Sequence, residues 1–289
     1  MRSRIPLLCI VLALLVACRP PGQAGEGNVA IQNVGSDTVV NMAVRWAERY
    51  QEEHPEVRIA VTGGGSGTGI AGLINGTVDI ANASRRIKPG ELDAAVGNGI
   101  QPVEHTIAGD AIAVVVHPSN PVDRLTLAQV SAIFRGDIQN WSQVGGENRP
   151  IVLLSRESNS GTHVYFLEHV VRLGDKDSDA LFHPDTLLMP SSEGISAEIR
   201  QNPNSIGYDG LGYVTPDQKT IAISAGEGGP YVSPSIATVN AGEYPIARDL
   251  YMYTAGEPEG VVAEYLSWIL STEAQEIVRE LGFVPLEDY

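Results

Sequence analysis

The sequence has 289 residues, of which 43% are hydrophobic and 19% charged, enough apolar matter to fill one large or two modest cores and too much for a chain disordered over most of its length. Lys and Arg number 19 against 35 Asp and Glu, a formal net charge of -16, which argues against holding DNA, RNA or anionic lipid by bulk electrostatics. A small anion is not excluded, because a buried site answers to its local donors.

Arg2 and Arg4 precede an almost wholly apolar stretch from Ile5 to Ala17, the pattern of an export signal over residues 1–17 and too short for an ordinary membrane span. The two cysteines are Cys9 and Cys18, so nothing downstream can form a disulfide framework or a cysteine metal site. Leu15-Val16-Ala17-Cys18 resembles the lipobox of bacterial lipoproteins, which makes Cys18 a candidate for lipidation; an ordinary signal peptide with an incidental cysteine is the alternative. Residues 18–28, polar and rich in Gly and Pro, then read as a flexible tether, and the mature chain is expected to work outside the cytoplasm.

From Val29 short apolar runs alternate with helical periodicity. Val29 to Ile31 predicts a strand, and Gly35-Ser36-Asp37-Thr38 leads into a helix with Val40, Ala43, Val44, Ala47 and Tyr50 on one face. Val57 to Val61 predicts a second strand, the glycine-rich stretch Gly63 to Gly69 a loop, and Ile70 the start of a short helix. Val78 to Ala81 predicts a third strand, Ala111 to Val116 a fourth and Leu125 to Phe134 a helix. Ile151 to Leu154 reads as a strand that enters Arg156 to Thr162 and a helix reaching Val171. Ser196 to Arg200 predicts a helix, Ile206 to Tyr208 and Leu250 to Tyr253 strands, and Glu259 to Leu281 one last helix. This alternation predicts an α/β architecture with parallel strands.

Gly35-Ser36-Asp37-Thr38, Gly65-Ser66-Gly67-Thr68 and Ser160-Gly161-Thr162 all fall where a strand ends and a helix begins. A helix N-terminus offers unpaired N–H groups and the positive end of its dipole, glycine lets the backbone approach a ligand, and hydroxyls add short donors. Any one such loop reads as an ordinary cap; three together, with Arg156 four residues before Ser160, point to a small oxyanion. Gly67 to Gly72 also matches a dinucleotide fingerprint, but the next strand follows too soon for a crossover helix, and no P-loop lysine is present. Neither Ser66 nor Ser160 lies in a nucleophile elbow; a Ser-His-Asp set with His163 and Asp79 stays open, with packing or capping as the simpler role for His163. The six histidines show no metal-site spacing, and Trp46, Trp141 and Trp268 read as core or interface residues.

The ordered set of the lipobox, Gly35 to Thr38, Gly63 to Ile70, Asp79 to Lys88, Ser155 to His163, Leu125 to Trp141 and Tyr244 to Arg248 resembles the phosphate-binding proteins of bacterial phosphate ABC importers, over essentially the whole chain from Val29 to Pro285. The resemblance implies a two-lobed periplasmic-binding-protein-like fold of type II with the ligand in the interlobe cleft. By that analogy lobe 1 comprises 29–112 plus 247–289 and lobe 2 comprises 113–246, with crossings near Ala111–Val116 and Arg248–Tyr253. It further implies a non-enzymatic, cofactor-free monomer that binds inorganic phosphate by closure, delivers it to ABC permease subunits and stays anchored in the cell envelope. Carried over by motif, the phosphate ligands would come from Ser36, Asp37, Thr38, Ser66, Gly67, Thr68, Arg85, Arg156, Ser160, Gly161 and Thr162. One departure stands out: Arg85 follows Ser84 where well-known members carry an aspartate that accepts the phosphate proton. We expect Asp37 to take over as acceptor with Arg85 balancing its charge; the simpler alternative is that Asp37 caps its helix and pairs with Arg85. An exported phosphohydrolase or serine hydrolase on the same loops is the competing function, and a phosphate sensor without a permease a third.

Overall fold

A computed structural model describes residues 29–286; the export signal, Cys18 and the tether lie outside the described residues. The chain begins with two turns of one pattern. Strand β1 (Val29–Gly35) feeds helix α1 (Asp37–Glu53), and β2 (Val57–Thr62) feeds α2 (Ser66–Ile74), before β3 (Ile80–Ala83) and α3 (Pro89–Gly97). β1 lies parallel between β2 and β3. α1 buries Val39, Met42, Ala43, Trp46, Ala47 and Tyr50, a stripe rotated from the predicted one because Val40 and Val44 stay only half-buried. α2 starts at Ser66, a turn earlier than predicted, because the glycines preceding it form the loop by themselves.

The long strand β4 (Val103–Val116) joins two bodies. Beyond it come β5 (Arg124–Thr126), α4 (Leu127–Arg135), β6 (Val152–Arg156), α5 (Gly161–Phe166), β7 (Leu187–Met189), α6 (Ser192–Gln201) and β8 (Ser205–Gly210). The short β9 (Lys219–Thr220) and β10 (Ala222–Ser224) precede α7 (Ile236–Asn240), and β11 (Ala247–Thr254) leads back to α8 (Gly260–Ile269) and α9 (Thr272–Glu280). The main sheet runs β2-β1-β3-β11-β4-β8-β6-β7, with β9 also on β4. β4 pairs antiparallel with β11 through its first half and with β8 through its second. The sheet is therefore mixed, which corrects the all-parallel expectation: each end is parallel, but the strands that cross between the bodies run antiparallel.

Two separate cores flank this crossing. The first gathers Trp46, Tyr50, Met252, Tyr265 and Phe283; the second gathers Phe134, Trp141, Phe166, Tyr208 and Tyr244. Trp46 donates its indole N–H to the Ala274 carbonyl at 2.8 Å, tying α1 to α9. In the second core Phe166 stacks on Tyr208 with ring centroids 3.6 Å apart. Tyr213, which follows β8, packs into the first core against Phe283. Two predicted helices are divided. α5 gives way to a π-turn at Leu167–Val171, and the last helix breaks at Ser271, whose hydroxyl accepts from the Ala274 N–H and so starts α9 afresh. The fold is two-lobed, with the helix starts of both bodies turned toward the junction. Among the described residues no helix is long and apolar enough to cross a membrane.

Candidate anion site at the lobe junction

The three predicted loops meet. Thr38, in the first turn of α1, and Thr162, in the first turn of α5, place their hydroxyl oxygens 2.8 Å apart although 124 residues separate them. The second loop joins them through Gly67, whose N–H donates to the Asn159 carbonyl at 3.0 Å, while the Asn159 amide donates to Gly64 O at 2.8 Å. Ser66 Oγ accepts from the Ser84 N–H at 3.0 Å. Ser36 donates its N–H to Asn82 O, and Thr68 turns its hydroxyl back onto Gly64 O. Ser160 caps α5 by accepting from the Thr162 and His163 N–H groups.

Close backbone approach explains two of the glycines. At Gly35 the backbone has φ +145°, and a Cβ would stand 2.2 Å from Asn82 O, so only glycine lets β1 and β3 deliver the first loop. At Gly161 a Cβ would lie 2.4 Å from Ser66 Oγ and 2.5 Å from Ser84 Oγ. The start of α5 thus presses directly against the first lobe.

Arg156 ends β6 wholly buried and spans the junction. Its Nη2 donates to Asp37 Oδ2 at 2.7 Å and to Pro190 O at 3.0 Å, and its Nη1 donates to the Ser192 hydroxyl at 3.0 Å. Asp37 also accepts from the Gly64 N–H at 3.0 Å through Oδ1, and its carbonyl accepts from Tyr213 OH. Behind Arg156, burial pushes the Asp209 carboxyl up to about 7 against the pull of the guanidinium.

Arg85 stands apart from this cluster and corrects the expected pairing. Its guanidinium forks onto Glu91 at 2.7 and 2.8 Å and bonds Arg86 O, so the charge partner of Asp37 is Arg156 and not Arg85. Burial would push the Glu91 carboxyl up, but hydrogen bonds from Arg85 and the Lys88 N–H outweigh it and hold it below its ordinary value. Both sequence readings of Asp37 brought Arg85 to it, and that pairing is absent: Arg156 takes the place of Arg85 beside the carboxylate.

Arg248 was missed as a site residue. It opens β11, is buried, and sits on Asp110 of β4 at 2.9 Å, with Nη1 donating to Ser84 O at 2.8 Å and Nη2 to Thr162 Oγ1 at 2.9 Å. Its motif position at the return crossing was legible, but its partners lie at least 86 residues away in the chain. Beside it opens a cleft of about 490 Å³ lined by Ser84, Arg86, Lys88, Tyr165, His169 and Tyr251, among others. The arrangement gathers helix starts, hydroxyls and the buried Arg156 and Arg248 at the lobe junction, which suits a small tetrahedral anion.

The nucleophile alternative finds no matching geometry. Ser66 bonds Ser84, Asp79 accepts from the Gln32 N–H, and His163 Nδ1 meets Ser155, itself fully buried against Tyr208 OH. No metal-binding cluster of His, Cys, Asp and Glu occurs among the described residues.

The model of the PBP superfamily domain matches residues 22–273. The phosphate-binding protein PstS of Pseudomonas aeruginosa is 34% identical over 278 residues, covering 90% of this chain and 84% of the relative. This chain belongs to the PstS family of phosphate-binding proteins. PstS of Bacillus subtilis is 28% identical over 99% of the chain and 95% of its own length. A Clostridium perfringens substrate-binding protein assigned to phosphate ABC transport, crystallised with phosphate, superposes at a TM-score of 0.79 with 29% identity, covering 89% of this chain and all of that one. These relatives are named for phosphate binding or as a phosphate ABC transporter's substrate-binding protein, and none of the names supports the hydrolase alternative.

Proposed function

We propose that the protein captures inorganic phosphate between its lobes outside the cytoplasm and delivers it to an ABC importer. The observation that carries this reading is the convergence of three helix starts with buried Arg156 at one junction. Ser36, Asp37, Thr38, Ser66, Gly67, Thr68, Ser160, Gly161 and Thr162 would surround the anion with N–H groups and hydroxyls, and Arg156 would supply the charge-assisted fork. Arg85 follows Ser84 but has its side chain committed to Glu91. The lobes would divide as 29–112 plus 247–289 and 113–246, hinged on β4 and β11.

Closure would follow from differential contact: donors on both lobes reach the anion together only when the lobes meet. Asp37 carries the selectivity in this reading. A carboxylate beside a dianion repels it unless a proton lies between them, and phosphate brings one where sulfate does not. The chain is proposed to act as a monomer, exported and held to the membrane by lipid on Cys18. Loss of acyl labelling in Cys18→Ala would support the anchor, and unchanged labelling would remove it.

The test of the function is calorimetric titration of the anion-free protein with phosphate and with sulfate, beside Arg156→Ala and Asp37→Asn. Phosphate binding that Arg156→Ala abolishes, with discrimination against sulfate lost in Asp37→Asn, supports the reading. Binding of neither anion refutes it, and equal binding of both by the parent removes the role of Asp37.

A further inference from the structure

Hydrogen-bond direction at the junction has a source. Arginine only donates, whereas a threonine hydroxyl both donates and accepts. Arg248 Nη2 lies 2.9 Å from Thr162 Oγ1 and 3.5 Å from Thr38 Oγ1, and the two hydroxyls lie 2.8 Å from each other. Both oxygens therefore face a guanidinium that occupies lone pairs and can take no proton from them. Neither hydroxyl can donate to Arg248: one hydrogen lies in the 2.8 Å contact between the two oxygens, and the other is left for an anion.

Three contacts lock the guanidinium in this pose. Its Nε and Nη2 rest on Asp110 Oδ2 at 3.2 and 2.9 Å, its Nη1 on Ser84 O at 2.8 Å, and its Cζ lies 5.6 Å from the Tyr165 ring centroid. Asp110 is fully buried and Arg248 nearly so, and the two belong to β4 and β11, the strands that cross between the lobes. One side chain on the hinge thus touches a hydroxyl from each lobe.

We propose that Arg248 is a positioning residue that orients the Thr38–Thr162 hydroxyl pair as a relayed donor to the bound anion, so that the hinge sets the donor pattern where the two lobes meet. The inference rests on the phosphate reading above. It makes a demand that a structural role does not: Arg248 and Thr162 must act through the same hydrogen bond, and so must be coupled.

The experiment is a double-mutant cycle on phosphate affinity with Arg248→Lys, Thr162→Val and the double variant, measured by calorimetry with thermal melting alongside. Lysine keeps the charge but loses the planar fork that reaches Asp110, Ser84 and Thr162 together. Arg248→Lys should weaken phosphate binding roughly ten- to hundred-fold, as expected for loss of charge-assisted hydrogen bonding. The double variant should lose little beyond Thr162→Val alone, and Thr162→Ser, which keeps the hydroxyl, should restore the sensitivity to Arg248→Lys. Additive losses, or unchanged affinity in Arg248→Lys, overturn the proposal. Should Arg248→Lys fail to fold, Arg248→Met with Asp110→Asn removes both buried charges together, and the same coupling to Thr162→Val is required. Failure of the parent to bind phosphate would instead refute the functional reading, so the two outcomes are separable.

Discussion

Asp209 offers a prediction with a sign and a size. It sits on β8, 1% exposed, with Oδ1 accepting from the Gly210 N–H at 2.9 Å. Burial is the largest influence and pushes its pKa up to about 7; Arg156 and the nearby Ser192 pull it down, and Asp110 pushes it further up. Tyr208 and Tyr213 also lie near enough to feel its charge. In the unfolded chain the carboxyl returns to the ordinary value of 3.8. Between these limits the native state holds a proton that the unfolded state lacks, so stability falls as pH rises. The contribution is fully present below about pH 4 and lost once the pH passes about 7, a span worth roughly 4 kcal/mol. Asp209→Asn keeps the shape and the acceptor for Gly210 but cannot ionise. Urea unfolding of both proteins at pH 5 and pH 8 should show the asparagine variant gaining about 2–4 kcal/mol on the parent at the higher pH. Profiles that stay parallel within about 0.5 kcal/mol would refute the argument that Asp209 is held neutral by its burial.

Three other substitutions test separate links. Gly161→Ala would put a methyl 2.4 Å from Ser66 Oγ and 2.5 Å from Ser84 Oγ, so phosphate affinity should drop at least about tenfold with little change in melting temperature, measured by titration and calorimetric melting. Arg85→Ala should cost about 1–3 kcal/mol of stability by orphaning Glu91, yet leave the preference between phosphate and sulfate unchanged; a changed preference would return Arg85 to the site. Trp46→Ala should cost about 3–5 kcal/mol in chemical denaturation, because a fully buried indole and its bond to Ala274 O both go.

What was legible in the sequence was local. Strand-to-helix turns announced themselves through glycines and hydroxyl residues, and three of them proved to share one junction. The buried stripe of α1 was displaced by one residue because two adjacent apolar stripes satisfy the same periodicity, and the bulk of Trp46 selects between them. The break between α8 and α9 had a signal, Ser271 followed by Thr272 and Glu273, but uninterrupted apolar spacing on either side concealed it. Ion-pair partners were not legible. Arg85 chose Glu91 six residues away through the helix start at Pro89, while Asp37 found Arg156 across 119 residues, a pairing that only the closed arrangement of two lobes can specify.

The overall charge of -16 need not oppose anion capture, and the junction shows why. Screening at physiological salt confines exposed charges to about 8 Å, so the acidic exterior contributes little at a buried junction. Inside, each buried arginine already has a carboxylate: Asp37 for Arg156 and Asp110 for Arg248. Those pairs cancel most long-range charge but leave short-range direction intact, since a guanidinium bonded along one edge still donates along another. An incoming anion is then selected less by its net charge than by whether its oxygens and its proton match donors and carboxylates that are fixed beforehand. With phosphate bound as proposed, Asp37 would be the sharpest term in that match, because its carboxylate already holds Arg156 and would meet the anion through either a shared proton or repulsion. A fully deprotonated anion would bring no proton to share. A site of compensated pairs therefore trades attraction at a distance for discrimination at contact, which is the property a scavenger of one oxyanion among many requires.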